Sequence, residues 1–116
     1  MTHEKNTAGF YKLANRTELA EGQMLQVSME DEGIYVEVAL TLVSGKLYAF
    51  RDVCPHATFP LSIGRLRGTK LECAGHGWEF DLTTGVALYP PVRKKLVLYE
   101  TEQTGDEIWV KVDPLF

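Results

Sequence analysis

Residues 51–80 read RDVCPHATFPLSIGRLRGTKLECAGHGWEF, and two short groups in this stretch decide how the chain is read: Cys54-Pro55-His56 and Cys73-Ala74-Gly75-His76. Each group joins one thiolate donor to one imidazole donor. Sixteen residues separate His56 from Cys73, the chain has no other cysteine, and its remaining histidine is His3. A lone buried cysteine is ordinarily a small hydrophobe, and His3 sits in a polar N-terminal stretch that reads as a tail. Two matched Cys/His pairs are a different matter, because four donors of these types build a metal site.

The order of the donors bears on the metal. Cys2His2 sets also hold structural zinc. Zinc fingers, however, usually place the two cysteines together and then the two histidines. Here each group mixes one of each, which suits a [2Fe–2S] centre with a cysteine pair on one iron and a histidine pair on the other. Zinc stays open as the alternative.

Outward from the two groups, short apolar alternations separated by turn residues read as an all-β chain. Strands are expected at Met24–Ser28, at Ile34–Val43 and at Lys46–Phe50, the latter two joined by a turn at Ser44-Gly45-Lys46. Further strands are expected at Lys70–Glu72, Trp78–Asp81 and Val86–Tyr89, with a closing hairpin of Leu96–Tyr99 and Glu107–Val112 turning at Thr104-Gly105-Asp106. One helical turn, capped by Thr17, is expected near Thr17-Glu18-Leu19-Ala20. Ten glycines and five prolines, mostly between the apolar runs, argue against a helical bundle. Both donor groups fall in loops, where a rigid sheet can hold converging side chains. Pro55 restricts the first, and Gly64, Gly68, Gly75 and Gly77 permit tight turns and close backbone approach.

The 116 residues fit one domain, 1–116, large enough to bury a core without disulfides. No run of 18 apolar residues suggests a membrane span, and residues 1–21 lack the apolar region of a secretory signal. A reducing, cytoplasmic setting is the default expectation. The net charge of −4 disfavours a nucleic-acid partner. The charge is uneven: Arg51, Arg65, Arg67 and Lys70 outweigh Asp52 and Glu72 between residues 51 and 76, while both flanks are acidic. Local positive charge would favour an anionic cluster; chance charge on a solvated loop explains it equally well.

Beyond the four donors, Pro60-Leu61-Ser62, Gly64, His76-Gly77-Trp78, Phe80-Asp81 and Thr84-Gly85 stand at spacings that resemble Rieske-type [2Fe–2S] ferredoxins. The match spans about residues 48 to 92. The resemblance implies an all-β, antiparallel, sandwich-like base carrying a small inserted cluster-binding subdomain of two loops, at about 51–92. It implies one Rieske-type [2Fe–2S] cluster, with Cys54 and Cys73 on the buried iron and His56 and His76 on the iron nearer solvent. It also implies that Pro90-Pro91 belongs to a loop covering the cluster. High-potential Rieske proteins carry two more cysteines, joined in a disulfide between the loops; Phe59 and Gly75 hold those places here. Trp78 replaces a hydroxyl-bearing residue of those proteins. With fewer donors to the sulfurs, the expected potential lies at the low end of the Rieske range, around −150 mV.

The implied role is a one-electron carrier. The chain has no Gly-rich dinucleotide fingerprint, so it is not expected to take electrons from NADH. Nor does it have the histidines or room for the mononuclear iron site of an oxygenase. It is therefore not expected to be an enzyme itself. The expected partners are a flavin-dependent ferredoxin reductase and a terminal, aromatic-hydroxylating oxygenase, docking weakly near His56 and His76. Phe59, Pro60, Leu61 and Pro91 could shield the cluster and form a small docking face, with ordinary loop packing the stronger reading for Leu61. Trp78 and Phe80 read as core. An accessory subunit or redox sensor of another oxidoreductase, and a zinc-stabilised binding module, are the competing readings.

Overall fold

A computed structural model describes residues 3–31, 33–55, 59–75, 77–90 and 93–112. Within them lie ten strands: β1 (Tyr11–Asn15), β2 (Met24–Asp31), β3 (Ile34–Val43), β4 (Lys46–Arg51), β5 (Arg65–Arg67), β6 (Lys70–Glu72), β7 (Glu79–Asp81), β8 (Ala87–Tyr89), β9 (Leu98–Thr104) and β10 (Glu107–Lys111). They form two antiparallel sheets, one of six strands in the order β1-β10-β9-β4-β3-β2 and one of four in the order β5-β6-β7-β8. The chain leaves the large sheet after β4, builds the whole small sheet, and returns at β9. The all-β expectation holds.

Strands β3 and β4 form the middle of the structure because both of their faces are buried. Val36, Val38, Leu40 and Ala49 point into one apolar cluster with Leu13, Met29, Ile108 and Val110. Ala39, Val43 and Phe50 point the other way, into a second cluster with Leu61, Leu71, Phe80, Leu82 and Leu96. Two-sided burial explains the near-continuous apolar run that made Ile34–Val43 readable as a strand. Val43 pairs directly with Lys46, so the connecting turn is the two residues Ser44-Gly45, both at positive φ (51° and 77°), as a tight hairpin turn requires.

The large sheet curls, so that its two edge strands are tied by side chains. The Tyr11 hydroxyl of β1 donates to the Asp31 carboxylate of β2. The His3 ring lies 3.0 Å from the Lys12 carbonyl on β1 and 3.2 Å from the Ser28 carbonyl on β2. His3 is thus part of the edge closure rather than a loose tail residue.

Several sequence expectations need adjusting. The first strand of the closing hairpin is Leu98–Thr104 rather than Leu96–Tyr99, because residues 100–104 pair with β10. Strand β1 was absent from the expected set, and its register shifts between Lys12 and Ala14, which breaks the alternation a strand ordinarily shows. Strand β5 has one half-buried apolar residue, Leu66, between two exposed arginines, too little to stand out. Strand β2 runs on to Asp31 because Glu30 and Asp31 pair with Tyr35 and Ile34 across the hairpin. The helical turn is a 3-10 turn at Arg16–Glu18, one residue earlier than expected. Asn15, not Thr17, precedes it, and the Asn15 backbone N–H donates to Glu18 Oε1 at 2.8 Å.

Candidate metal centre

The two donor loops are closed alike. In the first, the Cys54 N–H donates to the Phe59 carbonyl at 2.8 Å; in the second, the Cys73 N–H donates to the Trp78 carbonyl at 2.7 Å. Each cysteine therefore closes a loop by reaching the carbonyl five positions on. The two cysteines are not joined in a disulfide, and both are 1% exposed. They belong to the same apolar cluster, between the sheets, with Phe50, Leu61, Leu71 and Phe80. Neither lies in a strand, as the sequence led us to expect.

The first loop is fastened to the large sheet at its base. Arg51 N–H donates to the Val97 carbonyl at 2.9 Å and Asp52 N–H to the Glu37 carbonyl at 2.7 Å. The Asp52 carboxylate is 2% exposed. It accepts from the Ser62 N–H at 2.7 Å, the Ser62 hydroxyl at 2.5 Å and the Gln26 amide at 2.6 Å. Charge-assisted bonds of this kind are the strong class, and they join β2, the end of β4 and the 3-10 turn Leu61–Ile63. In the sequence Asp52 shows only as a charge and Ser62 only as part of a motif; their pairing across ten positions carries no local signal.

The small sheet supports the second loop. Cys73 directly follows β6, and Gly64 faces that strand so closely that a Cβ there would lie 2.0 Å from the Glu72 carbonyl oxygen. Only glycine fits such an approach. On the far side, Asp81 Oδ1 accepts from the Thr83 N–H at 2.8 Å and the Thr83 hydroxyl at 2.6 Å. These bonds, the hydroxyl's foremost, hold the Asp81 carboxyl below its ordinary range. They shape the turn from β7 to β8, where the Thr84 and Gly85 N–H groups also donate to the Asp81 carbonyl at 3.3 and 2.6 Å.

Cys54 and Cys73 thus come together in one buried cluster. His56, His76 and Pro91 lie outside the described residues. Leu61 and Phe80 are fully buried, Trp78 packs half-buried against the same cluster, and Phe59 is 43% exposed. The Phe59 ring crosses from the first loop to the second: a Cβ on Gly75 would meet its Cδ2 at 2.7 Å. Of the basic residues, Arg65 and Arg67 are exposed, and Lys70 lies 3.8 Å from Glu79 in a pair too exposed to contribute much.

Two reduced thiols sunk in an apolar wall, at the roots of matched loops that each carry a histidine in sequence, are the donor chemistry of a half-buried metal cluster. The fold and these loops define an all-β protein with two buried cysteines between its sheets. The Rieske [2Fe-2S] domain family matches residues 9–104, and the chain belongs to that family. It is 34% identical over 93 residues to the ferredoxin component of the naphthalene 1,2-dioxygenase system of Pseudomonas aeruginosa, covering 80% of this chain and 86% of that one. It is 31% identical over 102 residues to the ferredoxin component of biphenyl 2,3-dioxygenase of Rhodococcus jostii, covering 88% and 92%. Among solved structures, a chain from the complex of reduced oxygenase and oxidised ferredoxin in carbazole 1,9a-dioxygenase superposes with a TM-score of 0.78 at 28% identity, covering 88% of this chain and 92% of that one. The cofactor is accordingly one Rieske-type [2Fe–2S] cluster, and the zinc alternative is set aside.

Proposed function

We propose that Cys54, His56, Cys73 and His76 hold the [2Fe–2S] cluster, and that the chain carries single electrons from a flavin-dependent reductase to a terminal, aromatic-hydroxylating oxygenase. The observation that carries the ligand assignment is the pair of alike-closed loops, each rooted on a buried cysteine of one apolar cluster. When bound, such a cluster takes up and releases one electron at a time. The chain's own part is to fix the thiols in a dry wall, to keep the loops in register, and to leave a short route for the electron at the surface. The relatives are named as ferredoxin components of dioxygenase systems, which supports the carrier role over an accessory subunit or redox sensor and supports a chain without catalysis of its own. In this reading residues 1–116 form one domain, its cluster-binding part at about 51–92, working in the cytoplasm. Among the described residues no helix is long and apolar enough to cross a membrane.

The test is reconstitution. The purified protein should be brown and should give an EPR signal only after reduction. Added to a flavin-dependent reductase and a ring-hydroxylating oxygenase, it should restore NADH-driven product formation. A protein that is reduced but never re-oxidised by any oxygenase of that class would favour the sensor or accessory reading.

A further inference from the structure

We propose that Phe59 is a positioning residue for the cluster, its ring lying across Gly75 and clamping the first ligand loop to the second. This rests on the reading that those loops hold the cluster. The ring touches the glycine along one edge: Cδ2, Cε2 and Cγ lie 2.7, 2.9 and 3.4 Å from where a Gly75 Cβ would be. Gly75 is not among the residues at positive φ, so its backbone would accept alanine, and space for the ring is what calls for glycine here.

The position of this contact matters. Phe59 supplies the carbonyl that closes the first loop, and Gly75 lies inside the loop that Cys73 and Trp78 close. The contact therefore joins the two closed loops directly, away from the sheets that root them. Gly75 also directly precedes His76, and Phe59 follows His56 by three positions. A shift of either loop against the other would move donors on both. Phe59 is 43% exposed, and its apolar ring would be costly fully in water; seated on Gly75 it keeps part of its surface covered. Because the tie is a van der Waals contact and not a covalent bond, one substitution on either side releases it.

The experiment compares holoprotein variants by the first-order loss of visible cluster absorbance in excess iron chelator and by the EPR spectrum after reduction. Phe59→Ala should lose its cluster several-fold faster than wild type and broaden the EPR lines. Gly75→Ala, which pushes the ring off its seat, should do the same. The double variant should be no faster than either single one, because both remove one contact. Phe59→Tyr, which keeps the ring, should behave as wild type. Hydrogen exchange of β3 and β4 amides should be unchanged throughout, which separates positioning from general destabilisation. If Phe59→Ala yields no holoprotein, Phe59→Leu and Gly75→Ala carry the same comparison. Unchanged loss rates in the single variants, or additive effects in the double one, would overturn the clamp. A wild-type protein without a cluster would instead overturn the ligand assignment.

Discussion

The two sheets are held by different means. The large one has strands of up to ten residues, a continuous ladder from β1 to β2, and a cluster of aliphatic side chains within its curl. The small one has four strands of three residues each. It leans on the back of β3 and β4, and its shape depends on single features: the Asp52 hub, the Gly64 approach, the Asp81 turn and two thiols. Three-residue strands offer few ladder bonds, so isolated they would be marginal. The large sheet is a scaffold that folds on apolar burial, and the small sheet is expected to depend for its order on the cluster it would hold.

The largest expected break in this comparison is removal of the cluster. Cys73→Ser should leave a colourless protein. Its β6 and β7 amides should exchange quickly while β3 and β4 amides stay protected, as local stability differs across a fold. Equal loss of protection in both sheets would mean the two are one cooperative unit. Next comes Asp52→Ala, which orphans the Ser62 and Gln26 donors; it should cost about 4 kcal/mol in chemical denaturation of the holoprotein. Gly64→Ala forces the backbone apart at Glu72 and should cost about 3 kcal/mol, together with faster cluster loss.

The smallest effect is on pH. Asp81 in the small sheet and Glu107 in the large one both titrate below their ordinary ranges, Asp81 chiefly through the Thr83 hydroxyl and Glu107 chiefly through its bond with Lys12, 3.1 Å away. A depressed carboxyl stabilises the fold above its unfolded pKa and loses that contribution as pH falls through the folded one. Both sheets should therefore weaken slightly as the pH drops below the ordinary carboxylate range. Asp81→Asn should flatten the acid limb for the small sheet alone, read from exchange of β7 amides.

The same contrast explains what could be read from the residues. The Ile34–Val43 strand and its hairpin were legible because burial on both faces imposes a β-branched apolar run, and the bounds of β3 and β6 are those expected. The paired cysteine–histidine groups were legible because donor type and spacing are chemistry written locally. Strand β1 was not, since its irregular register hides the alternation, and β5 was not, since a three-residue edge strand needs one apolar side chain at most. Asp52 and Ser62 stand ten positions apart, and nothing in either one's neighbourhood points to the other; Phe59 and Gly75, sixteen apart, are linked only by the family resemblance, as the places of a disulfide that this chain lacks.

The most direct test of the central claim is a redox titration of the purified protein followed by EPR. The account predicts one one-electron wave at about −150 mV, with a Rieske-type signal appearing on reduction. A midpoint above about +100 mV would contradict the low-potential assignment, and one near −400 mV would contradict histidine ligation by His56 and His76.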